Sequence, residues 1–518
     1  MRLLPISCLA LVVGCGGSSS DVSTPEDTGT DTAETATEVG ADADTGAPDT
    51  AVTDADAGPC DDTKAPKDAP CVLRDDLGVF VSSSLGDDAN DGAKTRPLKT
   101  LAKALSTAKD KKKRVYACAE DFAEAVVAVD GVAAFGGVDC KGGWVGVSGQ
   151  TTVKAPTSPA FTAKGLTVGA QFTSFSFVAP DATSAGGSSI GGFAANSKLR
   201  FDLCAFTAGT AANGANGDLG ATGTNGNPGN FGEDARTLAA CPDRPLGGTG
   251  GVAYSAGGDG GKTCDAAGGS GKGKNAAVNT AGTCGLGTEF DGGSGVCGTL
   301  VTGKGFLAGL DKGCPATDGG NGAAGKSLGA VTADGLGAAA AGGDGTAGTA
   351  GGGGGGGGSG LSGGSSGGGG GGAGGGGKGG GPGRGGTSGG SSIAFVSFNS
   401  DVVLDKTDLK AADGGKAGSG GSGAEGGLGG KGAEGGRPKT SPNERGCAGG
   451  DGAKGGHGGG GAGGGGGSSI GLLYVGTKPT RTAGAVTLGT ASKGGAGGVG
   501  VTAAPAGEDG VAVAEKGI

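Results

Sequence analysis

The pentapeptide GGSSI occurs three times in this chain, at residues 186–190, 389–393 and 466–470. Each copy marks the point where glycine-rich sequence gives way to an apolar run, namely GGFAANSKLRFDLCAF, AFVSFNSDVVLDKTDLK and GLLYVGTKPTRTAGAVTL. Each continuation reads as a strand, a polar turn and a second strand. Matching continuations after matching starts indicate repeats of one structural unit, separated by long glycine-rich excursions.

These repeats predict a stack in which Ile190, Ile393 and Ile470 occupy equivalent inward positions, each buried by the adjoining repeats. The serines before each isoleucine would turn the chain from the excursion into the stack. Further short β-prone runs precede the first repeat, at residues 126–129, 132–136, 151–154, 166–168 and 172–178. In the last of these, FTSFSFV, the register of the phenylalanines is left open.

The composition limits what else the chain can be. Glycine accounts for 134 of 518 residues, far above the usual share of about 7%, and aromatic residues make up 4%. Large apolar side chains are too sparse for ordinary globular cores throughout. The net charge of −10 argues against nucleic acid as a partner, because binding to phosphates needs clustered lysine and arginine.

The N-terminus is typical of an exported protein. A short apolar run at residues 3–13 follows Arg2 and ends in VVGC at Cys15. This ending resembles the lipobox of bacterial lipoproteins, and the resemblance implies cleavage before Cys15 and attachment of diacylglycerol to its thiol. Ordinary cleavage of a secreted protein is the alternative. Gly16 after the cysteine, in the same resemblance, implies retention in the outer membrane, on the cell surface or its periplasmic face.

Residues 16–59 contain acids but neither lysine nor arginine. Such a segment has too few large apolar side chains to offset the conformational entropy lost on folding, so it is predicted to be a disordered stalk.

Eleven of the 13 cysteines follow this segment. Disulfides are favoured over a zinc site because no pair has CxxC spacing and His457 is the only histidine. The first pairings we expect are Cys60–Cys71 and Cys118–Cys140, and the odd count leaves at least one thiol over.

The stretch from Leu77 to Trp144 reads as strand, polar turn, helix and strand. The strands are expected at residues 79–81 and 115–117, and the helix begins near Pro97 and Thr100 with Leu98, Leu101, Ala102 and Leu105 on one face. Phe122 and Glu124 follow. This order resembles the N-terminal part of pectate-lyase-like, right-handed parallel β-helix proteins. The resemblance implies an all-β fold, a right-handed parallel β-helix with an N-terminal capping helix.

The glycine-rich segments have a period of three. Glycines recur at every third position in residues 214–232, 420–435 and 446–461, with a second frame at 415, 418, 421, 427 and 430. A polyproline-II-type helix has three residues per turn, so each frame lines one face and lets neighbouring helices exchange backbone hydrogen bonds. Polyglycine-II-like bundles are therefore predicted, resembling collagen-like or PGRS glycine-rich insertions. Disorder is the alternative, strongest for residues 351–381, whose excision is then expected to be nearly harmless.

The predicted organisation follows from these boundaries. It comprises a signal peptide (1–14), the lipidated cysteine and stalk (15–70), the cap and first coils (71–206), a glycine-rich insertion (207–390), a coil (391–412), a second insertion (413–467), and a last coil with the tail (468–518).

No cofactor, metal site or catalytic set is predicted. GNGAAGKS at residues 320–327 matches the P-loop expression but has no strand before it and no helix after it. In the turn at residues 86–92, Asp87 and Asp91 fit an EF-hand loop but Ala89 does not. Isolated carboxylates that an enzyme of this fold could use are Asp202, Asp401, Asp405 and Asp408.

The function expected from these features is a lipid-anchored cell-envelope surface protein with a structural or adhesive role and no catalysis. Its partners would be the membrane, through the lipid, and extracellular polysaccharide or surface proteins. The alternative is a β-helix carbohydrate-active enzyme, a polysaccharide lyase or hydrolase.

Overall fold

Short parallel strands make up most of the regular structure. The computed structural model describes residues 60–147, 149–234, 249–250, 315–353, 371–437 and 448–518. Within these ranges it has one α-helix, α1 (Leu101–Lys111), and a 3-10 turn (Pro70–Val72). The strands are β1 (Gly78–Val81), β2 (Arg114–Cys118), β3 (Asp121–Phe122), β4 (Val126–Val127), β5 (Ala133–Val138), β6 (Thr151–Lys154), β7 (Phe161–Lys164), β8 (Ala170–Thr173), β9 (Phe175–Val178), β10 (Ser189–Ala195), β11 (Lys198–Asp202), β12 (Ala205–Thr207), β13 (Val331–Thr332), β14 (Gly335–Leu336), β15 (Ser392–Phe398), β16 (Asp401–Asp405), β17 (Asp408–Lys410), β18 (Ser469–Val475), β19 (Thr480–Arg481), β20 (Val486–Thr487) and β21 (Ala512–Gly517).

Three parallel sheets form a stack. Sheet 1 has the order β1-β2-β5-β8-β11-β16-β19, sheet 2 the order β3-β6-β9-β12-β17-β20, and sheet 3 the order β4-β7-β10-β15-β18-β21. From β2 onward the chain visits sheets 1, 2 and 3 in turn, apart from the antiparallel pair β13–β14. Every passage therefore adds one strand to each sheet, and the all-β prediction is confirmed.

The three GGSSI repeats are successive layers of this stack. Ile190 pairs with Ile393 and Ile393 with Ile470 in the parallel register of sheet 3. We call residues 189–207, 392–410 and 469–487 the three SSI circuits. Their equivalence, predicted from the sequence, is confirmed although the first two circuits are separated by 203 residues at each register pair.

Aromatic rings fill the space between the sheets. Phe161 on sheet 3, Phe201 on sheet 1 and Phe206 on sheet 2 are fully buried, and the centroids of Phe201 and Phe206 lie 4.9 Å apart. Most neighbouring rings meet edge to face, an arrangement that the aromatic quadrupole favours. The core is thus built by large side chains converging from three sheets.

The stretch FTSFSFV contributes three phenylalanines to this core. Phe172 belongs to β8, Phe175 and Phe177 belong to β9, and all three are buried. Ser174 between the two strands has a φ of 61°, in the left-handed region. The chain turns a corner there, so residues on both sides of the turn face the same interior.

The helix α1 covers the first layer of the stack. Leu101, Ala104, Leu105 and Ala108 form its buried face, whereas Ala102, predicted to lie on that face, is exposed. The carboxylate of Glu124 accepts hydrogen bonds from the backbone N–H groups of Leu101 (2.7 Å) and Ala102 (3.1 Å). Glu124 therefore fixes the start of the helix, where N–H groups have no partner within the helix.

The two serines of GGSSI have different partners. The second serine of each copy accepts a hydrogen bond from the N–H group twenty residues later, where the same circuit leaves sheet 2. The pairs are Gly209 to Ser189 (2.9 Å), Ala412 to Ser392 (2.8 Å) and Gly489 to Ser469 (3.0 Å). This serine joins the beginning of a circuit to its end.

The first serine joins one circuit to the next. Ser188 Oγ accepts from Ser391 N (2.9 Å), Ser391 Oγ from Ser468 N (3.2 Å), and Ser468 Oγ from Val511 N (3.1 Å). Ser391 and Ser468 are buried, and Ser188 is half-buried, so each hydroxyl satisfies an N–H group with little or no access to water. The repeated pentapeptide therefore closes each circuit and attaches it to its neighbour.

The isoleucines of GGSSI are buried, but the prediction that they face inward is wrong. Ile190, Ile393 and Ile470 belong to a second apolar cluster, separate from the phenylalanine core. This cluster includes Val331, and Leu328 and Leu336 pack against it from the first glycine-rich excursion. The hairpin β13–β14 thus covers the outer face of sheet 3, and this cover buries the isoleucines.

Glycine-rich segments run beside the stack and bond to one another through their backbones. In residues 214–232 every third residue, a glycine, donates its N–H to a carbonyl of residues 416–434 over 2.7–3.1 Å. Residues 418–433 in turn donate at every third position to carbonyls of residues 372–387, in the opposite chain direction. A third contact comes from Gly455, Gly458 and Gly461, which donate to the 415–436 segment.

The glycines at these contacts leave no room for a side chain. A Cβ on Gly217 would overlap the carbonyl of Arg384, and one on Gly427 would overlap the carbonyl of Thr224. Both predicted glycine frames of residues 415–435 are used. One frame faces residues 449–461 and the other faces residues 212–227.

Asparagine and aspartate side chains complete the bonding at the margins of these segments. Asn213, Asn216 and Asn225 accept from the N–H groups of Lys416, Ser419 and Leu428, each 203 residues later, over 2.8–2.9 Å. Disorder, the alternative for residues 351–381, does not hold for residues 371–381, whose backbone is bonded; residues 354–370 lie outside the described residues, and the effect of excising the segment stays a prediction. Gly374, Gly377 and Gly380 donate to Gly450, Ala453 and Gly456 there.

Candidate functional site

A polar strip on the outer face of sheet 1 is the place where the predicted carboxylates come closest together. Asp202 on β11 and Asp405 on β16 are paired in register. Arg200 on β11 places Nη2 3.6 Å from Asp405 Oδ2, and the Thr482 hydroxyl donates to Asp405 Oδ1. The strip therefore brings two aspartates and one arginine onto one exposed surface.

Hydrogen bonding sets the electrostatics of Asp405. The bond from Thr482 is the main cause that holds the pKa of the Asp405 carboxyl below its usual range, and the positive charges of Lys406 and Arg200 act in the same direction. A general acid needs a pKa raised toward neutrality, as burial among apolar groups would produce. Asp405 is therefore better suited to contact a ligand as a charged carboxylate than to transfer a proton.

Of the other two candidate carboxylates, Asp401 lies on the same outer face of β16, four residues before Asp405, whereas Asp408 lies on another sheet. Asp401 begins β16 and is exposed, in register with Lys198. Asp408 begins β17 on sheet 2, where its Oδ1 accepts from the N–H of Ala485 at 2.7 Å. Asp408 thereby joins two neighbouring circuits, so the structure gives it a structural contact.

The N-terminal segment packs on the aromatic half of the same outer face. The structure joins Cys60 to Cys71 and Cys118 to Cys140, with Cα separations of 5.9 and 5.5 Å. The hydroxyl of Tyr116 donates to the carbonyl of Val72 at 2.6 Å, and burial raises the pKa of Tyr116 to about 12. The aromatic rings of this half, which include Phe80 and Trp144, are thereby buried under the N-terminal segment.

Cys204 is the free thiol among the described residues. It is fully buried, and burial raises its pKa to about 12. A thiol protonated under ordinary conditions is a poor nucleophile. Cys15, the predicted lipidation site, lies outside the described residues, as do Cys241, Cys264, Cys284, Cys297, Cys314 and Cys447.

The P-loop-like stretch lies within the bonded glycine segments. Its Gly322 and Gly325 donate to the carbonyls of Gly460 and Gly463, and Lys326 Nζ pairs with Glu508 Oε1 at 2.5 Å. The amides that a phosphate would need are thus engaged by the backbone. His457 lies in the neighbouring segment, where its N–H donates to Asp318 at 2.8 Å.

The aspartate-rich turn is occupied by its own backbone and side chains. Asp88 accepts from Lys99 N and from both Thr100 N and Oγ1, while Asp91 pairs with Arg96. In the described ranges no group of three or more histidine, cysteine or acidic side chains is arranged to hold a metal ion. The helix in that same part of the chain is too short and too polar to cross a membrane.

Sequence reasoning identified the carboxylates but missed the residues that organise the structure around them. The serine contacts of GGSSI join positions up to 203 residues apart, and Glu120 gathers the hydroxyls of Ser82, Ser83 and Ser84. The signal that could have found the serine contacts is the constant spacing of twenty residues from each second serine to an Ala or Gly.

Three comparisons with known proteins were negative. Neither a protein-family model, nor a curated protein, nor a solved structure matches this chain.

Proposed function

We propose that the chain is a right-handed parallel β-helix carrying polyglycine-II-type bundles, and that it serves as a lipid-anchored surface protein of the cell envelope. Its role in this proposal is structural or adhesive, without catalysis. The observation that carries the proposal is the way the glycine segments bond. Their amides engage neighbouring backbones at every third residue, next to the parallel stack.

This arrangement supports a mechanical role because it is held by many repeated contacts. A rigid body with an extended side of glycine segments presents a large surface to partners such as extracellular polysaccharide or surface proteins. The lipobox-like VVGC at Cys15 and the acidic stretch at residues 16–59 support attachment of this body to the outer membrane at a distance from it.

Metabolic labelling tests the anchor. Cells given an alkyne fatty acid should incorporate the label into the wild-type protein, whereas Cys15→Ser should remain unlabelled and leave the membrane fraction. Cys8→Ser, within the predicted signal peptide, is the matched control and should be labelled normally. Labelled Cys15→Ser protein would refute the anchor, and protease treatment of intact cells would show whether the protein faces the medium.

The second candidate is a β-helix carbohydrate-active enzyme, and the strip with Arg200, Asp202 and Asp405 is the observation that favours it. Purified protein would be incubated with acidic and neutral polysaccharides and assayed for new reducing ends or unsaturated products. Activity that disappears in Asp405→Asn and persists in Asp408→Asn would establish the enzyme and overturn the non-catalytic proposal. The proposal predicts no activity in either variant or in the wild type.

A further inference from the structure

The helix α1 forms a basic tip at the first layer of the stack. Its apolar face packs on β1, β2 and β4, so its opposite face is turned away from the core. Residues 99–114 contain six lysines and one arginine against one acid, Asp110, in a chain whose net charge is −10. This is a concentrated positive surface on an otherwise acidic protein.

Four of these lysines are unpaired. Lys111 and Lys113 donate to the carbonyls of Asp91 and Asp75, and Arg114 donates to the carbonyl of Lys64. The side chains of the remaining lysines are exposed, and their ammonium groups form no hydrogen bond or salt bridge with a described residue, although the Asp88 carboxylate interacts electrostatically with Lys103. We refer to these four as the tip lysines: Lys99, Lys103, Lys109 and Lys112.

The acids around the tip are mostly engaged elsewhere. Glu124 binds two helix N–H groups, Asp88 binds Lys99 N and Thr100, and Asp91 pairs with Arg96. Asp110 is the exposed carboxylate within α1 itself. Hydrogen bonding does not remove the negative charges of these acids, so they offset part of the positive charge of the tip, but the six lysines and Arg114 still outnumber them.

The helix dipole does not explain all of these charges. Lysines near the C-terminal end of a helix, such as Lys109 and Lys112, interact favourably with the dipole. Lys99 and Lys103 lie at the other end, where the dipole disfavours cations. The Asp88 carboxylate interacts with Lys103 and offsets part of this cost, while the exposed side chain of Lys99 is available to an external anionic partner.

We propose that the tip lysines dock on the anionic phospholipid headgroups of the membrane. This inference rests on the proposed lipid anchor. Residues 62–64, close to the start of the described chain, lie beside the tip, so a tether from the anchor would reach the stack at this end. Arg114, directly after the tip, holds the carbonyls of Asp62 and Lys64. Basic side chains near an anionic bilayer each strengthen binding by about fivefold, so four of them form an effective second contact beside one lipid.

Vesicle binding by full-length Cys15→Ser protein tests the docking independently of lipidation. The vesicles contain phosphatidylcholine with or without phosphatidylglycerol. The protein should bind only the vesicles with phosphatidylglycerol, and binding should weaken as salt is raised, because exposed charges are screened. Replacing the four tip lysines with glutamine should weaken binding by about tenfold or more.

The matched control removes the same charge elsewhere, by replacing Lys406, Lys410, Lys416 and Lys493, all exposed, with glutamine. It should bind as the parent does, and both variants should keep the parent's melting temperature. Equal loss in both variants, no binding to phosphatidylglycerol, or binding that only a soluble acidic polysaccharide supports would overturn the docking. A failure of fatty-acid labelling at Cys15 would instead refute the anchor and leave the vesicle result readable.

Discussion

Both the circuits of the stack and the glycine segments beside them pair their backbone N–H and C=O groups with neighbouring segments. The two regions have opposite requirements for side chains. In the circuits, large side chains such as Phe201 and Phe206 converge and bury apolar surface. In the glycine segments, carbonyls occupy the places where side chains would begin, as at Gly217 and Gly427. The comparison teaches that one region depends on the presence of side chains and the other on their absence.

This difference predicts opposite sensitivities to substitution. A circuit should lose stability when a side chain is shortened, because burial is lost and a cavity forms. A glycine segment should lose stability when a single methyl group is added at a contact, although alanine lowers the entropy of the unfolded chain. The following variants are ordered by the size of the expected effect.

The largest effect is expected in the phenylalanine core. Phe201→Ala should lower the free energy of unfolding by about 3–5 kcal/mol, because Phe201 is fully buried among rings from all three sheets. Lys198→Ala, exposed on the same strand, is the control and should change it by less than about 0.5 kcal/mol. Denaturant unfolding followed by circular dichroism gives both values, and equal values would contradict the assigned core.

Shortening an isoleucine of the cluster on the outer face of sheet 3 should lower stability and also loosen the hairpin that covers it. Ile393→Ala should cost about 2–5 kcal/mol and should also speed amide exchange in the hairpin at residues 331–336, which packs over the isoleucines. Leu409→Ala, in the phenylalanine core, should destabilise the protein without selectively exposing that hairpin. Hydrogen exchange by mass spectrometry separates the two. Equal exchange in both variants would mean that the hairpin does not cover sheet 3.

Alanine substitutions at two adjacent glycines should have different effects on the free energy of unfolding. A Cβ on Gly319 would overlap the carbonyl of Thr346, whereas one on Gly320 would meet only Thr346 Oγ1, at 3.7 Å. Gly319→Ala should therefore destabilise by about 1–3 kcal/mol. Gly320→Ala should be neutral or stabilise by up to about 1 kcal/mol. Melting temperatures of the pair decide the point, and identical shifts would show that this segment is not packed as described.

The last of these variants concerns the serine contacts, and its expected effect is of the same order as that of Gly319→Ala. Ser392→Ala removes the acceptor for the N–H of Ala412 and the donor to the carbonyl of Gly209, in a fully buried place. The expected loss is about 1–3 kcal/mol. Ser419→Ala, at an exposed serine, should leave stability within about 0.5 kcal/mol of the parent. If both variants are as stable as the parent, the hydrogen bonds of Ser392 that close the circuit do not contribute to stability.

Much of the stack could be predicted from the sequence, because the repeated GGSSI and the apolar runs after it are local signals. The face of the isoleucines could not. Ile393 and Val396 lie three positions apart yet share the outer cluster, so strict alternation along β15 is broken. The hairpin that covers them comes from an excursion whose composition gives no sign of its position.

The candidate site was predictable only as a set of isolated residues. The pairing of Asp202 with Asp405 depends on a register that spans 203 residues, and Thr482 belongs to the next circuit. The glycine frames, in contrast, could be predicted from the sequence, because a period of three matches the three residues per turn of a polyproline-II-type helix. Which segments face each other is fixed by the stack that holds their ends.

The most direct test of the central claim compares insertions of one and three residues between Leu428 and Gly429. The claim is that period-three register, not glycine content, holds these segments together. Inserting the triplet Gly-Gly-Leu keeps both glycine frames in place, so stability should stay near that of the parent. Inserting a single Ala moves side chains into positions that the carbonyls of Gly449 and Gly452 occupy, and should destabilise the protein clearly more. If the single insertion costs no more than the triplet, as loop closure in an unstructured segment would require, the account is wrong.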